Sequence, residues 1–180
     1  MIYGERIRFR APERSDIPLW VAWLNDPEVL QGLSLYMPIS IASEEKWFEG
    51  LQSRSDSDQV FVIEVRMPDS PEGWKPVGNV GLHGIDWRSR AAEYGIFIGE
   101  KTLWNQGYGT EATRLILQYG FNTLNLNRIF LRVYETNSRA IRAYEKAGFV
   151  QEGRMRQAEF REGRYIDVLY MSVLRDEFTE

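Results

Sequence analysis

The sequence predicts one mixed α/β domain, with a mostly antiparallel central sheet flanked by about four helices. Three observations predict it. Apolar residues recur with period two in several short segments and with helical spacing in others. The two kinds of segment interleave in the order β-α-α-β-β-β-α-β-α-β-β, which calls for helices packed on a mixed sheet. The 180 residues make one domain at about 150 residues per domain, and no linker, repeat or low-complexity stretch divides residues 1–180. A chain of this length buries roughly 70% of its unfolded surface, so it needs no disulfide or metal staple.

The first strand is Glu5 to Arg10, where Ile7 and Phe9 alternate with three arginines. Ser15 or Asp16 then caps a helix with Pro18 in its first turn. Leu19, Trp20, Trp23 and Leu24 form its apolar face, and Asn25-Asp26-Pro27 stops it. Val29 to Ile41 reads as irregular. Ser43, followed by Glu44 and Glu45, opens a second helix carrying Trp47, Phe48 and Leu51, with acids placed to suit the helix dipole. Gln59 to Arg66, Pro76 to Asp86 and Arg90 to Ile98 read as an antiparallel meander, the first two joined by a turn at 68–73. Gly95 in the third strand marks a candidate bulge that would splay it. A loop leads to a helix from Thr110 to about Phe121. Arg128 to Tyr134 is a strand. Asn137 caps a helix with Ala140, Ile141, Tyr144 and Ala147 inward and Gly148 just past its end. Phe149 to Met155 and Tyr165 to Leu174 are the last strands, around Glu162-Gly163.

Composition removes several chemistries. With no cysteine there is no disulfide framework, iron–sulfur cluster, cysteine zinc site or thiol nucleophile. A single histidine, His83, cannot build a multi-histidine metal site, and any Ser-His-Asp triad would have to use it. An all-carboxylate metal site would need an Asp-rich loop, and none is present, so no metal is expected. The net charge of −4 argues against nucleic acid, whose binders carry a basic patch. It suits a cationic substrate mildly. The N-terminus has no apolar signal region, and no apolar run approaches the 18 residues that a membrane helix needs. The expectation is a soluble cytoplasmic protein without membrane or nucleic-acid partners.

Gly107-Tyr108-Gly109 lies between a strand and a helix. Two glycines there permit positive φ and close approach of a ligand, and the helix start offers free N–H groups to an anion. Three readings stand on the loop alone. A Walker loop requires Gly-Lys-[Ser/Thr], and Gly109-Thr110-Glu111 lacks the lysine. A dinucleotide fingerprint matches as Gly107-x-Gly109-x-x-Ala112, but that motif follows the first strand of a βαβ series. The third reading is a tight turn without a ligand.

Thirty residues after Gly107 comes Asn137-Ser138-Arg139-Ala140-Ile141-Arg142-Ala143-Tyr144-Glu145-Lys146-Ala147-Gly148-Phe149. The glycine loop, helix, strand and this N-x-x-A-[IV]-x-x-Y-E-[KR]-x-G-F pattern together resemble the GNAT superfamily of acyl-CoA N-acyltransferases, over about Glu5 to Leu174. Trp104-Asn105-Gln106-Gly107-Tyr108-Gly109-Thr110-Glu111-Ala112 is most similar to the branch that includes the ribosomal-protein N-terminal acetyltransferases RimJ and RimL. Leu124 to Ile129 and Gly148 to Gly153 also resemble the spermidine N-acetyltransferases of that branch. Two positions depart from the general loop pattern [QR]-x-x-G-x-[GA]. Trp104 takes the first place and offers only an indole, and Asn105 replaces a frequent glycine.

The resemblance implies a GNAT-type fold and acetyl-CoA as co-substrate. Backbone groups near Phe97 and Ile98 would hold the pantetheine arm as an added strand would. Trp104, Asn105, Gln106, Gly107, Tyr108, Gly109 and Thr110 would hold the pyrophosphate, largely through backbone amides. Asn137 and Ala140 would border the pantetheine and sulfur, with Asn137 also serving as a helix N-cap. Tyr144 would protonate the departing thiolate, its alternative being a core aromatic. Glu93 would be the base, with deprotonation through ordered water as its rival. His83 reads as structural, Trp20, Trp23 and Trp47 as core or acceptor wall, and Arg154, Arg156, Arg161 and Arg164 as a solvated hairpin.

Amide formation needs an amine stripped of its proton, from a pKa near ~10, a donor for the oxyanion and a proton for the thiolate. Holding the two reactants together supplies roughly 7–11 kcal/mol. No protein nucleophile is required, so acetyl passes directly to a primary amine. Peptide N-termini, polyamines, amino sugars and antibiotics fit that description, and the pocket for them would come from residues 25–41 and 156–165. The resemblance also implies a homodimer. The rival functions are a noncatalytic acyl-CoA-binding or regulatory module on the same fold and a dinucleotide enzyme.

Overall fold

The computed structural model describes every residue except Ser55, 68–72 and Glu180. The turn expected at 68–73 therefore falls, apart from Gly73, outside the described residues. Eight strands form one sheet in the order β1-β2-β3-β4-β5-β6-β8-β7. They are β1 (Ile2–Tyr3), β2 (Ile7–Arg10), β3 (Gln59–Arg66), β4 (Trp74–Asp86), β5 (Ala91–Ile98), β6 (Arg128–Tyr134), β7 (Val150–Arg161) and β8 (Arg164–Leu174). Among the described residues every neighbouring pair is antiparallel except β5 and β6, which run parallel. The predicted mixed α/β class and the meander β3-β4-β5 stand as expected.

The helices are α1 (Ile17–Leu24), α2 (Pro27–Leu30), α3 (Ile41–Ser53), α4 (Tyr108–Gln118) and α5 (Ser138–Lys146). α2 replaces part of the expected irregular stretch. Pro27 stops α1, yet Asp26 caps a new turn by accepting the Glu28 N–H at 2.9 Å. α3 starts three residues earlier than expected. Ser40 is its cap and Ser43 the third helical residue, each side chain bonding the other's backbone N–H, so the serine read as a start signal closes a capping box instead. β7 runs on to Arg161, six residues past its expected end, because register shifts at Gln151/Gly153 and Met155/Glu159 let it keep pairing with β8.

Each sheet face carries its own layer. Ile63, Val80, Leu82, Ala92, Tyr94, Ile129 and Leu131 pack under Ala112, Leu115 and Ile116 of α4 and under Phe149, which follows α5. On the opposite face Val62 meets Ile17, Trp20, Trp23 and Leu24 of α1, with Trp47 and Phe48 of α3 against them. Trp20 is wholly buried, edge-on to Trp47 at 5.7 Å. Trp20 and Trp23 are thus core residues of this second layer. Burial of a large apolar side chain is worth about 1.5–3 kcal/mol, so this layer is held firmly against the sheet. No helix among the described residues is long and apolar enough to cross a membrane.

Candidate active site

The parallel contact between β5 and β6 is short. It consists of Ala91↔Arg128, Ala92↔Ile129 and Glu93↔Phe130. Beyond these pairs β5 stays with β4 as far as Ile98, and β6 stays with β8 as far as Tyr134. The two strands therefore part, and a cavity of about 270 Å³ opens between them, walled by Ile96, Phe97, Ile98 and Val133. Gly95 is not the cause. It pairs in register with Gly81, and the irregularity in this pairing lies between His83 and Asp86.

The glycine loop closes one end of the cavity through Trp104, Asn105, Gly107, Gly109 and Thr110. Asn105 and Gly107 have φ of 62° and 87°. Asn is among the few side chains that tolerate this left-handed region, which explains how it substitutes for glycine. Gly107 starts α4 without a side-chain cap, leaving the first N–H groups of the helix free at its electropositive end. Trp104 turns its indole N–H onto the Ile98 carbonyl at 2.7 Å, which fixes the ring across the end of β5. Gln106 and Tyr108 do not line the cavity. The Gln106 amide donates to the Thr102 carbonyl at 2.7 Å, and the Tyr108 ring lies under the Arg6 guanidinium. A relay of hydroxyls braces the loop from behind. The Tyr94 hydroxyl meets Thr113 Oγ1 at 2.8 Å, and Thr113 donates to the Gly109 carbonyl at 2.7 Å.

α5 forms the other wall, through Asn137, Arg139, Ala140, Arg142, Ala143, Tyr144 and Lys146. Asn137 caps the helix, its Oδ1 accepting the Ala140 N–H at 3.2 Å, while its Nδ2 crowds Gly32, where a Cβ would stand 2.8 Å away. The Tyr144 ring sits edge-on to Tyr94 at 5.8 Å and against Phe149 at 5.8 Å. Burial pushes the Tyr144 phenol up to about 12, with the nearby Arg139 cation pulling the other way. Its hydroxyl has no hydrogen-bond partner among the described residues.

Ten of the residues predicted for the site thus surround one cavity, with Glu93, Gln106 and Tyr108 outside its lining. Glu93 lies on the face of β5 opposite Tyr94 and is bound to Arg132, with Nε at 2.7 Å and Nη2 at 3.2 Å from its two oxygens. His83 stands opposite Glu93 in register. Burial lowers its pKa, Asp58 opposing weakly from 3.9 Å, so it is neutral at pH 7 and lies away from the cavity.

A second opening of about 520 Å³ adjoins the first, between α2 and the β7–β8 hairpin, and shares Gly32, Trp104, Asn105, Asn137, Arg139 and Arg142 with it. Its wall corrects the reading of the arginine group. Arg154 is the expected exposed ion pair, to Glu135 and Asp167. Arg161 instead reaches back to donate to the carbonyls of Leu30 and Leu33. With Tyr134 donating to Ser34 Oγ at 3.1 Å, it ties the 30–34 turn over the cavity. Lys101 fixes the start of α2, which leads into that turn, by pairing with Asp26 and Glu28, both at 2.8 Å. The sequence reading missed Arg132, Arg139, Arg142 and Lys146. The three on α5 were detectable from spacing, since i, i+3 and i+7 share a helix face. No group of three metal-binding side chains gathers among the described residues.

Comparison with known proteins agrees with this geometry. The family model described as "Acetyltransferase (GNAT) domain" matches residues 6–150. An uncharacterized N-acetyltransferase p20 of Bacillus licheniformis is 28% identical over 98% of this chain and 97% of its own length. The spermidine N(1)-acetyltransferase of Vibrio cholerae is 30% identical over 97% of this chain and 96% of its own. A crystal structure of the Vibrio cholerae spermidine N-acetyltransferase with CoA and spermine superposes with a TM-score of 0.86 at 27% identity, covering 97% of this chain and 98% of that one. The splayed strands, the glycine loop and the matching family model together establish that this chain belongs to the GNAT acetyltransferase family, with acetyl-CoA as its acyl donor.

Proposed function

We propose that the enzyme transfers acetyl from acetyl-CoA directly to the primary amine of a small acceptor, polyamines being the first class to test. The observation that carries this is the cavity opened where β5 and β6 part, into which the glycine loop and Tyr144 both project. An extended pantetheine fits such a slot, with free backbone groups of β5 on one side. Polyamines come first because the Vibrio cholerae relative is named for spermidine. Use of acetyl-CoA suits a cytoplasmic enzyme.

In this reading the ammonium loses its proton and the free nitrogen attacks the thioester carbon. A β5 N–H near Phe97 steadies the oxyanion. The carbon–sulfur bond then breaks, sulfur leaves towards the Tyr144 hydroxyl, and the products are an N-acetyl amine and CoA thiol. Glu93 is the carboxylate of β5, and Arg132 holds both of its oxygens in place. An ionised carboxylate attracts the ammonium and receives its proton through water.

Following thiol release with acetyl-CoA and a panel of amines tests the reading, and CoA-induced stabilisation without any thiol release would sink it. Glu93→Gln is expected to lower kcat/KM for the amine about 100-fold near neutral pH. The deficit should shrink as pH approaches the amine pKa of ~10, where the free amine no longer needs a base. An unchanged pH–rate profile would remove Glu93 from the mechanism.

A further inference from the structure

Trp104 takes the place where the resembled loop pattern carries Gln or Arg, so this chain lacks that side-chain donor to phosphate. The rest of the loop does not replace it, because the Gln106 amide is spent on the Thr102 carbonyl. The structure supplies a guanidinium from another element. Arg139, in the first turn of α5, lies over the Trp104 ring with Cζ 3.7 Å from its centroid. The ring is itself pinned by its bond to Ile98. Stacking on a face leaves all the in-plane N–H donors of an arginine free. Arg139 has no carboxylate partner among the described residues, whereas Arg6, Arg8, Arg10, Arg128, Arg132 and Arg154 each have one. Burial lowers its pKa from the ordinary arginine value, which marks a partly desolvated cation without its counter-charge. It lines the same cavity as Gly107, Gly109 and Thr110.

We propose that Arg139, seated over the Trp104 ring, is the residue that grips the diphosphate of CoA, doing from α5 what the loop position of Trp104 cannot do. The proposal rests on acetyl-CoA being the donor. Stacking fixes the guanidinium before the ligand arrives, which lowers the ordering cost of binding. Arg142 and Lys146 lie further along the same wall, also without acidic partners among the described residues. They remain for the 3′-phosphate.

Dissociation constants for CoA, 3′-dephospho-CoA and pantetheine, measured on the full chain, test the assignment. Arg139→Gln is expected to weaken CoA and 3′-dephospho-CoA by the same factor, about 10- to 100-fold for a lost charged hydrogen bond, and to leave pantetheine unchanged. Arg139→Lys should recover part of that loss, since it keeps the charge without the stack. Trp104→Leu should produce a smaller loss in the same two ligands. An equal loss for all three ligands would make Arg139 merely structural. A loss confined to CoA would assign it to the 3′-phosphate instead. Either result overturns the proposal, as does no loss at all. Failure of the unmodified protein to bind CoA would be a different result, against the donor itself.

Discussion

Tyr144→Phe is expected to lower turnover about 100-fold, the range for removing one donor to a developing charge, and to leave CoA affinity nearly unchanged. The phenol stands in the cavity wall with no other hydrogen-bond partner among the described residues, so its loss leaves no buried acceptor unsatisfied. Its packing against Tyr94 and Phe149 is through the ring, which phenylalanine retains. The magnitude follows from the acidities. Tyr144 is pushed up to about 12, while a thiol titrates near ~8.5. A complete proton transfer to free thiolate would run uphill by about 5 kcal/mol at 1.36 kcal/mol per pH unit. Under the proposed reaction Tyr144 would therefore stabilise the departing sulfur by a hydrogen bond that strengthens as charge develops, with solvent completing the protonation. A second consequence concerns pH. The raised pKa keeps the phenol protonated throughout the neutral and mildly alkaline range, so the wild-type rate should show no falling limb between pH 7 and 10 from this group. Turnover by Tyr144→Phe equal to wild type would assign the ring to packing alone.

The parts of the site legible in the sequence were those written locally. Gly107, Gly109, Asn137 and Tyr144 fall within two short stretches, and helical spacing puts Asn137 and Tyr144 on one face. What the sequence could not disclose was pairing across distance. Glu93 meets Arg132 from 39 residues away, and Arg161 holds the Leu30 carbonyl from 131 residues away. No periodicity encodes either contact. Gly95 illustrates the same limit within one strand. A glycine in a strand suggests a bulge, but only the partner strand decides, and Gly95 meets Gly81 in register. Element ends failed for a local reason. Ser40 and Ser43 are both competent N-caps, and the tie is broken by Ile41 and Ala42 joining the helix.

Gly78→Ala is expected to have the largest effect on stability and to damage the cofactor slot with it. Gly78 faces Ile98 across the β4–β5 ladder. A Cβ built on Gly78 would lie 2.0 Å from the Phe97 carbonyl oxygen and 2.8 Å from the Ile98 Cα. Both are backbone atoms, so no rotamer change relieves the clash and the two strands must separate. Overpacking costs typically about 1–3 kcal/mol and occasionally more, and a rigid sheet centre belongs at the upper end. At about 2–4 °C per kcal/mol for a domain of this size, Tm should fall by roughly 6–12 °C. The displaced segment is also the cavity wall, since Phe97 and Ile98 line it, so CoA affinity should fall as well. Gly109→Ala is the matched control. Its Cβ would meet only the Ile98 side chain, at an ordinary 3.7 Å, and it lies in the first turn of α4, where alanine is preferred to glycine by about 0.5–1 kcal/mol. Its Tm should hold or rise, while the added methyl should obstruct the diphosphate proposed to lie at the loop and so weaken CoA. Thermal melts with and without CoA separate the two. Gly78→Ala with an unchanged Tm would mean that β4 and β5 can part freely at this point, and the slot would then not be the rigid feature on which the cofactor reading depends.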